Sequence, residues 1–171
     1  MNTAIGFHAD VPESSNLTNA TAIGAGAIVD DSNKIRLGNT DVTVIEGQVA
    51  YTFSSDRNKK ENFRPLDGEE VLRKIRGLSL RSWNYIGHNP RQFRHYGLMA
   101  QDFFAAFGDD GVGTIGTPTT INSGDMAGVT LAAVQGLEKR TEALRVENAE
   151  LKARLEALER RMGDTALTRA E

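Results

Sequence analysis

The sequence contains no cysteine and no long apolar run, and each absence removes a class of protein. Without cysteine, neither a disulfide framework nor a thiolate metal site can form. The three histidines, His8, His88 and His95, lack HxH or HxxxH spacing, so we expect no zinc site and no cofactor. No window approaches the roughly 18 apolar residues of a membrane span, and the N-terminal stretch lacks the basic start and apolar core of a signal peptide.

The charge balance is mildly acidic, with a formal net charge of -3 and a pI near 5.7. This balance argues against a chain devoted to binding nucleic acid. One local exception is "TFSSDRNKKENFRPL", residues 52–66, which carries Arg57, Lys59, Lys60 and Arg64. On composition alone, such a run is typical of a solvated basic turn. The 171 residues, 39% of them hydrophobic, suffice for one ordinary domain or for several small pieces that need each other.

The first part of the chain contains a repeat. "TAIGFHADV" from Thr3 recurs as "TAIGAGAIV" from Thr21, 18 residues later, and each copy is followed by a polar turn cluster. A repeat of this length is typical of one coil of a β-roll, which needs neighbours to bury its apolar face. We therefore assign residues 1–54 to a β-stranded repeat piece. Further strands are predicted where apolar residues largely alternate, at Ile35, Leu37, Val42, Val44, Val49, Tyr51 and Phe53.

Residues 55–127 mix helical and strand patterns and predict a small mixed α/β domain. "GEEVLRKIRGLSL" predicts a short amphipathic helix that ends at Gly77, with acidic residues at its start and basic ones towards its end. "LRSWNYIG" predicts a strand, and "HYGLMAQDFFAAFG" an extended run leading into a helix that stops at Gly108. "DDGVGTIGTPTTINSGD" is typical of a loop; its GxGxxG is not followed by a helix pattern, so we expect no dinucleotide site.

Residues 128–162 carry a heptad pattern, which predicts an α-helical coiled coil. The interleaved charges on its flanks favour a partner helix over a membrane surface. Residues 163–171 are predicted to form a flexible tail. Because neither the repeat nor the coiled coil is complete alone, we expect a homo-oligomer; the heptads do not decide between dimer and trimer. The predicted seam consists of Leu137, Leu144, Leu151 and Leu158 at d, and Val134, Thr141, Asn148, Leu155 and Met162 at a.

Ser55 and the nearby lysines suggest serine–lysine chemistry. A serine becomes a useful nucleophile when a neutral lysine takes its proton. Cationic neighbours favour a neutral lysine and carboxylates such as Asp56 and Glu61 oppose it. If residues 55–60 formed a regular helix, Lys59 would share the face of Ser55. A turn, or a serine and lysine from different protomers, would instead let Lys60 serve as the base.

Four blocks in order, "SSDRNKKENFRPL", "VLRKIRGLSLRSWNY", "YGLMAQDF" and "AAVQGLEKRTEAL", resemble the intramolecular chaperone auto-processing domain of phage endosialidases, tail spikes and tail fibres. A relative of that domain occurs in the myelin regulatory factor family. The resemblance covers about residues 54–160. Phe63 stands where that family usually has an aliphatic residue, and Asn58 where it commonly has arginine. The positions that match its processing motif are Ser55, Asp56, Lys60, Glu61 and Asn62.

The resemblance implies a function. The domain would trimerise, guide an upstream β-structured fibre or spike into register, and then cut itself off, with Ser55 as nucleophile and Lys60 as base. Asn58, Lys59, Glu61 and Asn62 would support the site. The chaperone would act in the host cytoplasm during assembly, and the mature upstream part would sit in the virion tail fibre or spike. The repeats in residues 1–54 also resemble the heads of trimeric autotransporter adhesins and phage fibres, which are threefold.

Two bonds are candidates for the cut. The family places it between Ser55 and Asp56, which requires the serine of another protomer or an activated water. Attack by Ser55 Oγ on the carbonyl of Ser54 closes a five-membered ring and would break the bond before Ser55. Two other functions compete: a permanent trimeric fibre tip that does not cleave, and a coiled-coil DNA-binding regulator suggested by the basic run. We expect the homotrimer and the upstream β-structure as partners, with no nucleic acid or membrane.

Overall fold

The computed structural model describes residues 1–167, with side-chain exposure defined as far as residue 162. The chain divides into two compact units: residues 1–55 with 81–97, and residues 56–80 with the chain from residue 98 onward. The predicted mixture of α and β structure is confirmed. Of the predicted C-terminal tail, residues 168–171 lie outside the described residues.

A three-stranded parallel sheet forms the N-terminal part of the first unit. Its strands are β1 (Thr3–Ile5), β2 (Thr21–Ile23) and β3 (Ile35–Leu37), in that order. Thr3 pairs with Thr21 and Ile5 with Ile23, so the sequence repeat is also the register of the strands. The two copies therefore stack directly on one another.

The interior of this stack holds small side chains: Ala20, Ala22, Ala27 and Val29 are buried. Successive coils approach closely, since a Cβ built on Gly6, whose φ is 133°, would lie 2.7 Å from the Gly24 carbonyl carbon. Larger residues face outward instead. Ile5, Ile23 and Leu37 occupy the same register position in the three strands and remain exposed; we call these three residues the apolar ladder.

The strand predicted across Val42–Phe53 does not form in the single chain. Beyond β3, residues 42–56 contain no strand in the structure, and Val49 and Tyr51 are 84% and 93% exposed. An alternating pattern specifies which face a strand buries but provides no backbone partner, and none of the described strands pairs with this segment. The prediction is wrong for the isolated chain because the partner strand is missing.

An antiparallel hairpin completes the first unit. β4 (Arg81–Trp83) pairs with β5 (His95–Gly97), which confirms the strand predicted in "LRSWNYIG". Trp83 packs on His95 and Tyr85 at centroid distances of 4.6 and 4.9 Å. His88 Nε2 donates to the carbonyl of Thr40 at 3.2 Å, since a carbonyl oxygen can only accept.

Two short helices of the second unit end where the sequence predicts. α1 (Gly68–Arg76) begins after Asp67, whose carboxylate accepts a hydrogen bond from the Glu69 N–H at 2.9 Å, and it ends at Gly77. α2 (Ala100–Phe107) ends at Gly108. Both helix predictions are confirmed. They pack with the third helix around a buried core of Val71, Leu98, Phe103, Phe107, Ala132 and Ala133.

α3 (Ser123–Leu167) is one continuous helix. It begins five residues before the predicted start at Gly128, because the Asn122 side chain accepts a hydrogen bond from the Gly124 N–H at 2.7 Å and caps it. It also runs past Met162 into the predicted tail. The heptad seam is exposed along its length, with Leu144, Leu151 and Leu158 each between 53% and 56% accessible.

The described helices include none that is both long and apolar enough to cross a membrane. Over the same residues, no group of three or more histidine and carboxylate side chains is placed to hold a metal ion.

Candidate processing site

The predicted processing residues form a tight turn. Asp56 begins it, and its Oδ1 accepts a hydrogen bond from the Asn58 N–H at 2.9 Å. A single 3-10 turn covers Arg57–Lys59, and Lys60 leaves it with an extended backbone, φ -128° and ψ 152°. Asn62 then adopts a left-handed conformation with φ 55°. We call residues 56–62 the processing turn; every residue in it is exposed.

This geometry bears on the choice of base. Lys59 would share a face with Ser55 only if residues 55–60 were a regular helix, and they are not. The backbone instead has the turn under which Lys60 can serve. Ser55 is the last residue of the first unit's N-terminal piece and Asp56 begins the second unit, so the predicted Ser55–Asp56 cleavage bond coincides with the boundary between units. The catalytic roles of Ser55 and Lys60, the choice of Lys60 over Lys59 as base, and the supporting roles of Asn58, Lys59, Glu61 and Asn62 all stay predictions.

Two contacts close the processing turn on its downstream side. The guanidinium carbon of Arg57 lies 5.7 Å from the centre of the Phe63 ring, a cation–π contact. Arg64 Nη1 donates a hydrogen bond to the backbone carbonyl of Asp110 at 3.0 Å. The turn is therefore attached to a loop that lies 46 residues further along the chain.

The loop that receives Arg64 is ordered by its own hydrogen bonds. The Asp110 carboxylate accepts from the N–H groups of Val112 and Gly113, both at 2.9 Å, and Asp109 accepts from Gly111 at 2.6 Å. The bonds from Gly113 and Val112 lower the pKa of the Asp110 carboxyl, and the Arg64 charge adds to that shift. The sequence predicts a loop here but does not predict that the loop binds Arg64. The Asp-Asp-Gly run was the one sequence feature that could have indicated an ordered loop.

An open groove of about 600 Å³ lies beside this anchor, among α1, α2, the start of α3 and the loop. Its floor is apolar, including Val71, Phe103 and Phe107. On its rim, Lys74 Nζ lies 3.3 Å from the Glu70 carboxylate and 5.2 Å from the centre of the Phe107 ring.

A close joint connects α1 to α3. Arg140 Nε donates to the two Glu69 carboxylate oxygens at 2.7 and 2.9 Å, and Arg140 Nη2 also donates to Glu69. The hydrogen bonds from Arg140 lower the pKa of the Glu69 carboxyl. One turn away, the helix backbones nearly touch: a Cβ built on Gly136 would lie 2.8 Å from the Gly68 carbonyl oxygen. The sequence analysis predicted neither the Glu69–Arg140 pair nor the close approach of the two helices. Gly136, a glycine inside a strong heptad helix, was a signal for the close approach.

Comparison with known families gives a match at this site. Residues 55–112, about a third of the chain, match the family model described as chaperone of endosialidase. The match begins at Ser55 and includes the processing turn, α1, the hairpin, α2 and the Arg64 anchor loop. It supports a chaperone domain over these residues, and the family name also contains the word peptidase. No curated protein matches the chain significantly.

Proposed function

We propose that this chain is the C-terminal intramolecular chaperone of a phage or prophage tail fibre or spike, which assembles as a homotrimer and then releases itself by serine–lysine self-cleavage. The observation that carries the proposal is the family match beginning at Ser55, on an exposed turn that carries the motif residues Asp56, Lys60, Glu61 and Asn62.

Exposed apolar surface supports self-association. The apolar ladder of Ile5, Ile23 and Leu37, the segment 42–53 and the heptad seam of α3 are all exposed in the single chain. Soluble monomers rarely leave several such surfaces in water, because their burial is the main favourable term in association. A second and third copy would supply the missing strand partners for segment 42–53 and the partner helices for the seam. The threefold order is taken from the family resemblance.

The cleavage chemistry balances for either bond. Lys60 takes the proton of the Ser55 hydroxyl while Oγ attacks a backbone carbonyl. The C–N bond breaks, and the proton passes from Lys60 to the departing backbone amine. An ester remains on Ser55, and water hydrolyses it to a carboxylate and the free hydroxyl. For the Ser54–Ser55 bond, this is an N-to-O shift within one chain.

Cleavage between Ser55 and Asp56 needs a different nucleophile. Attack by Ser55 on its own carbonyl would close a four-membered ring, so the Ser55 hydroxyl of a neighbouring protomer acts as the nucleophile. The alternative, a water deprotonated by Lys60, would break the same C–N bond without an ester on Ser55 and would leave Ser55→Ala able to cleave. A trimer brings three copies of the turn near one axis, and such positioning replaces a bimolecular encounter with an effectively intramolecular one. Cleavage of this bond therefore depends on assembly.

Release makes assembly hard to reverse. Once the chaperone has been cut off, the remaining β-structure no longer carries the part that guided its folding. Its stability is then set by the rate of unfolding. Cleavage should therefore follow trimerisation and not precede it.

The function is tested by expressing the wild type beside Ser55→Ala, Lys60→Ala and Lys59→Ala and resolving each on a denaturing gel. We expect wild type and Lys59→Ala to yield two fragments and the other two variants to stay whole. Sedimentation of uncut Ser55→Ala should give a trimer. A wild type that persists as one 18.6 kDa species would contradict cleavage and favour a permanent, non-cleaving trimeric fibre tip.

A further inference from the structure

Arg64, two residues after the processing turn, donates a hydrogen bond to the Asp110 carbonyl, 46 residues further along the chain, and so joins the segment that follows the turn to another part of the second unit. We propose that Arg64 is a positioning residue for self-cleavage: by holding this end of the turn, it sets where Lys60 stands. The inference rests on the proposed function and concerns a residue outside the motif positions Ser55, Asp56, Lys60, Glu61 and Asn62.

The receiving loop is built independently of Arg64. The carboxylates of Asp109 and Asp110 are satisfied by backbone N–H groups within the loop. This leaves the Asp110 carbonyl to accept from the guanidinium. The loop also has room for that group because position 111 is glycine, with φ 78°; a Cβ there would lie 2.9 Å from Arg64 Nη1. The hydrogen bonds of the Asp109 and Asp110 carboxylates, which order the loop, thus do not involve Arg64, as a positioning contact requires.

The segment between Arg64, which is anchored to the Asp110 carbonyl, and Lys60 is short. Only Glu61, Asn62 and Phe63 intervene, and the Phe63 ring is itself covered by the Arg57 guanidinium. Pro65 follows directly and restricts the backbone of Arg64 to extended conformations. A displacement of Arg64 therefore also displaces Lys60, the proposed base, because only three residues lie between them.

The test follows the first-order rate of self-cleavage across pH in the full chain, started by diluting denatured protein into buffer. Arg64→Ala should lower the maximal rate by about tenfold, the loss expected for one charged hydrogen bond. Arg64→Lys keeps the positive charge but loses the planar set of guanidinium N–H donors. Its maximal rate should therefore lie between the rates of the wild type and Arg64→Ala, with the midpoint of the pH profile unchanged. Arg91→Ala, an exposed arginine in the hairpin loop, is the matched control and should cleave at the wild-type rate.

The outcomes separate this inference from the proposed function. If the wild type does not cleave, the proposed function fails. If the wild type cleaves and Arg64→Ala matches it and Arg91→Ala in rate, the positioning role is overturned while the proposed function stands. If Arg64→Ala fails to fold by circular dichroism, Arg64→Lys decides: a folded variant with a reduced maximal rate supports the role, and one with an unchanged rate overturns it.

Discussion

Glu69 of α1 and Arg140 of α3 form a bidentate ion pair between residues 71 positions apart in the chain. The pair joins the helix that directly follows the processing region to the helix that carries the heptad seam. In the proposed assembly, this joint would connect the associating α3 helices to the helix that follows the cleavage motif. The first two predictions test the joint itself.

Glu69→Gln should reduce the fall in the free energy of unfolding that occurs as the pH is lowered. The Arg140 hydrogen bonds hold the folded-state pKa of Glu69 below its ordinary value of 4.5. The ion pair therefore stabilises the folded state fully above that value, and its contribution is lost as the pH falls through the lowered pKa. Urea titrations at pH 7 and at successively lower pH values measure this. The wild type should lose more stability on acidification than Glu69→Gln.

Glu150→Gln is the control for that experiment, since Glu150 is an exposed carboxylate of α3 that lies outside the heptad seam and its flanking positions. Its loss of stability on acidification should follow the wild type. An equal reduction of that loss in both variants would show that general charge, not the Glu69–Arg140 pair, governs the acid response.

Gly136→Ala should destabilise the second unit although it improves helix propensity. Alanine in a helix interior is favoured over glycine by about 1 kcal/mol. At position 136 its methyl group would meet the Gly68 carbonyl oxygen at 2.8 Å, and separating α1 from α3 should cost about 1–3 kcal/mol. Thermal unfolding measures the sign. Gly128→Ala, where a Cβ meets nothing within 4 Å, should be stabilising by up to about 1 kcal/mol; if both variants are stabilising, the helices are not in close contact.

Leu151→Glu should dissociate the oligomer. Leu151 lies at d of the heptad and is 53% exposed in the single chain, where a partner helix would cover it. A charge buried in that seam should cost the assembly about 2–5 kcal/mol or more. Analytical ultracentrifugation at several concentrations detects the loss. Ala149→Glu, two residues away and outside the seam, should sediment like the wild type; dissociation by both substitutions would argue against a heptad interface.

The sequence predicts local structure well where one residue determines it. Gly77 and Gly108 end their helices, and the repeat at Thr3 and Thr21 becomes the strand register. Two predictions from the sequence fail, each for a physical reason. Segment 42–53 has the pattern of a strand but needs a partner that the pattern does not contain. The start of α3 depends on a single side-chain cap at Asn122, which lies in a run that otherwise has loop composition.

The candidate site was predictable only in part. The motif residues Ser55, Asp56 and Lys60 lie within six consecutive residues, so they can be read from the chain directly. The contacts that hold the turn and the domain join residues 46 and 71 positions apart, and no local pattern predicts which arginine reaches which partner. Arg64 and Arg140 look like ordinary surface charges in the sequence.

Mass spectrometry of the freshly folded wild-type protein, with sequencing of the new N-terminus, decides whether the chain cuts itself at Ser55. We expect two fragments, with the second beginning at Asp56, and no such fragments from Ser55→Ala. A second fragment beginning at Ser55 would retain self-cleavage but assign it to the bond after Ser54. A single intact mass of 18.6 kDa, unchanged on prolonged incubation of the assembled protein, would contradict the account.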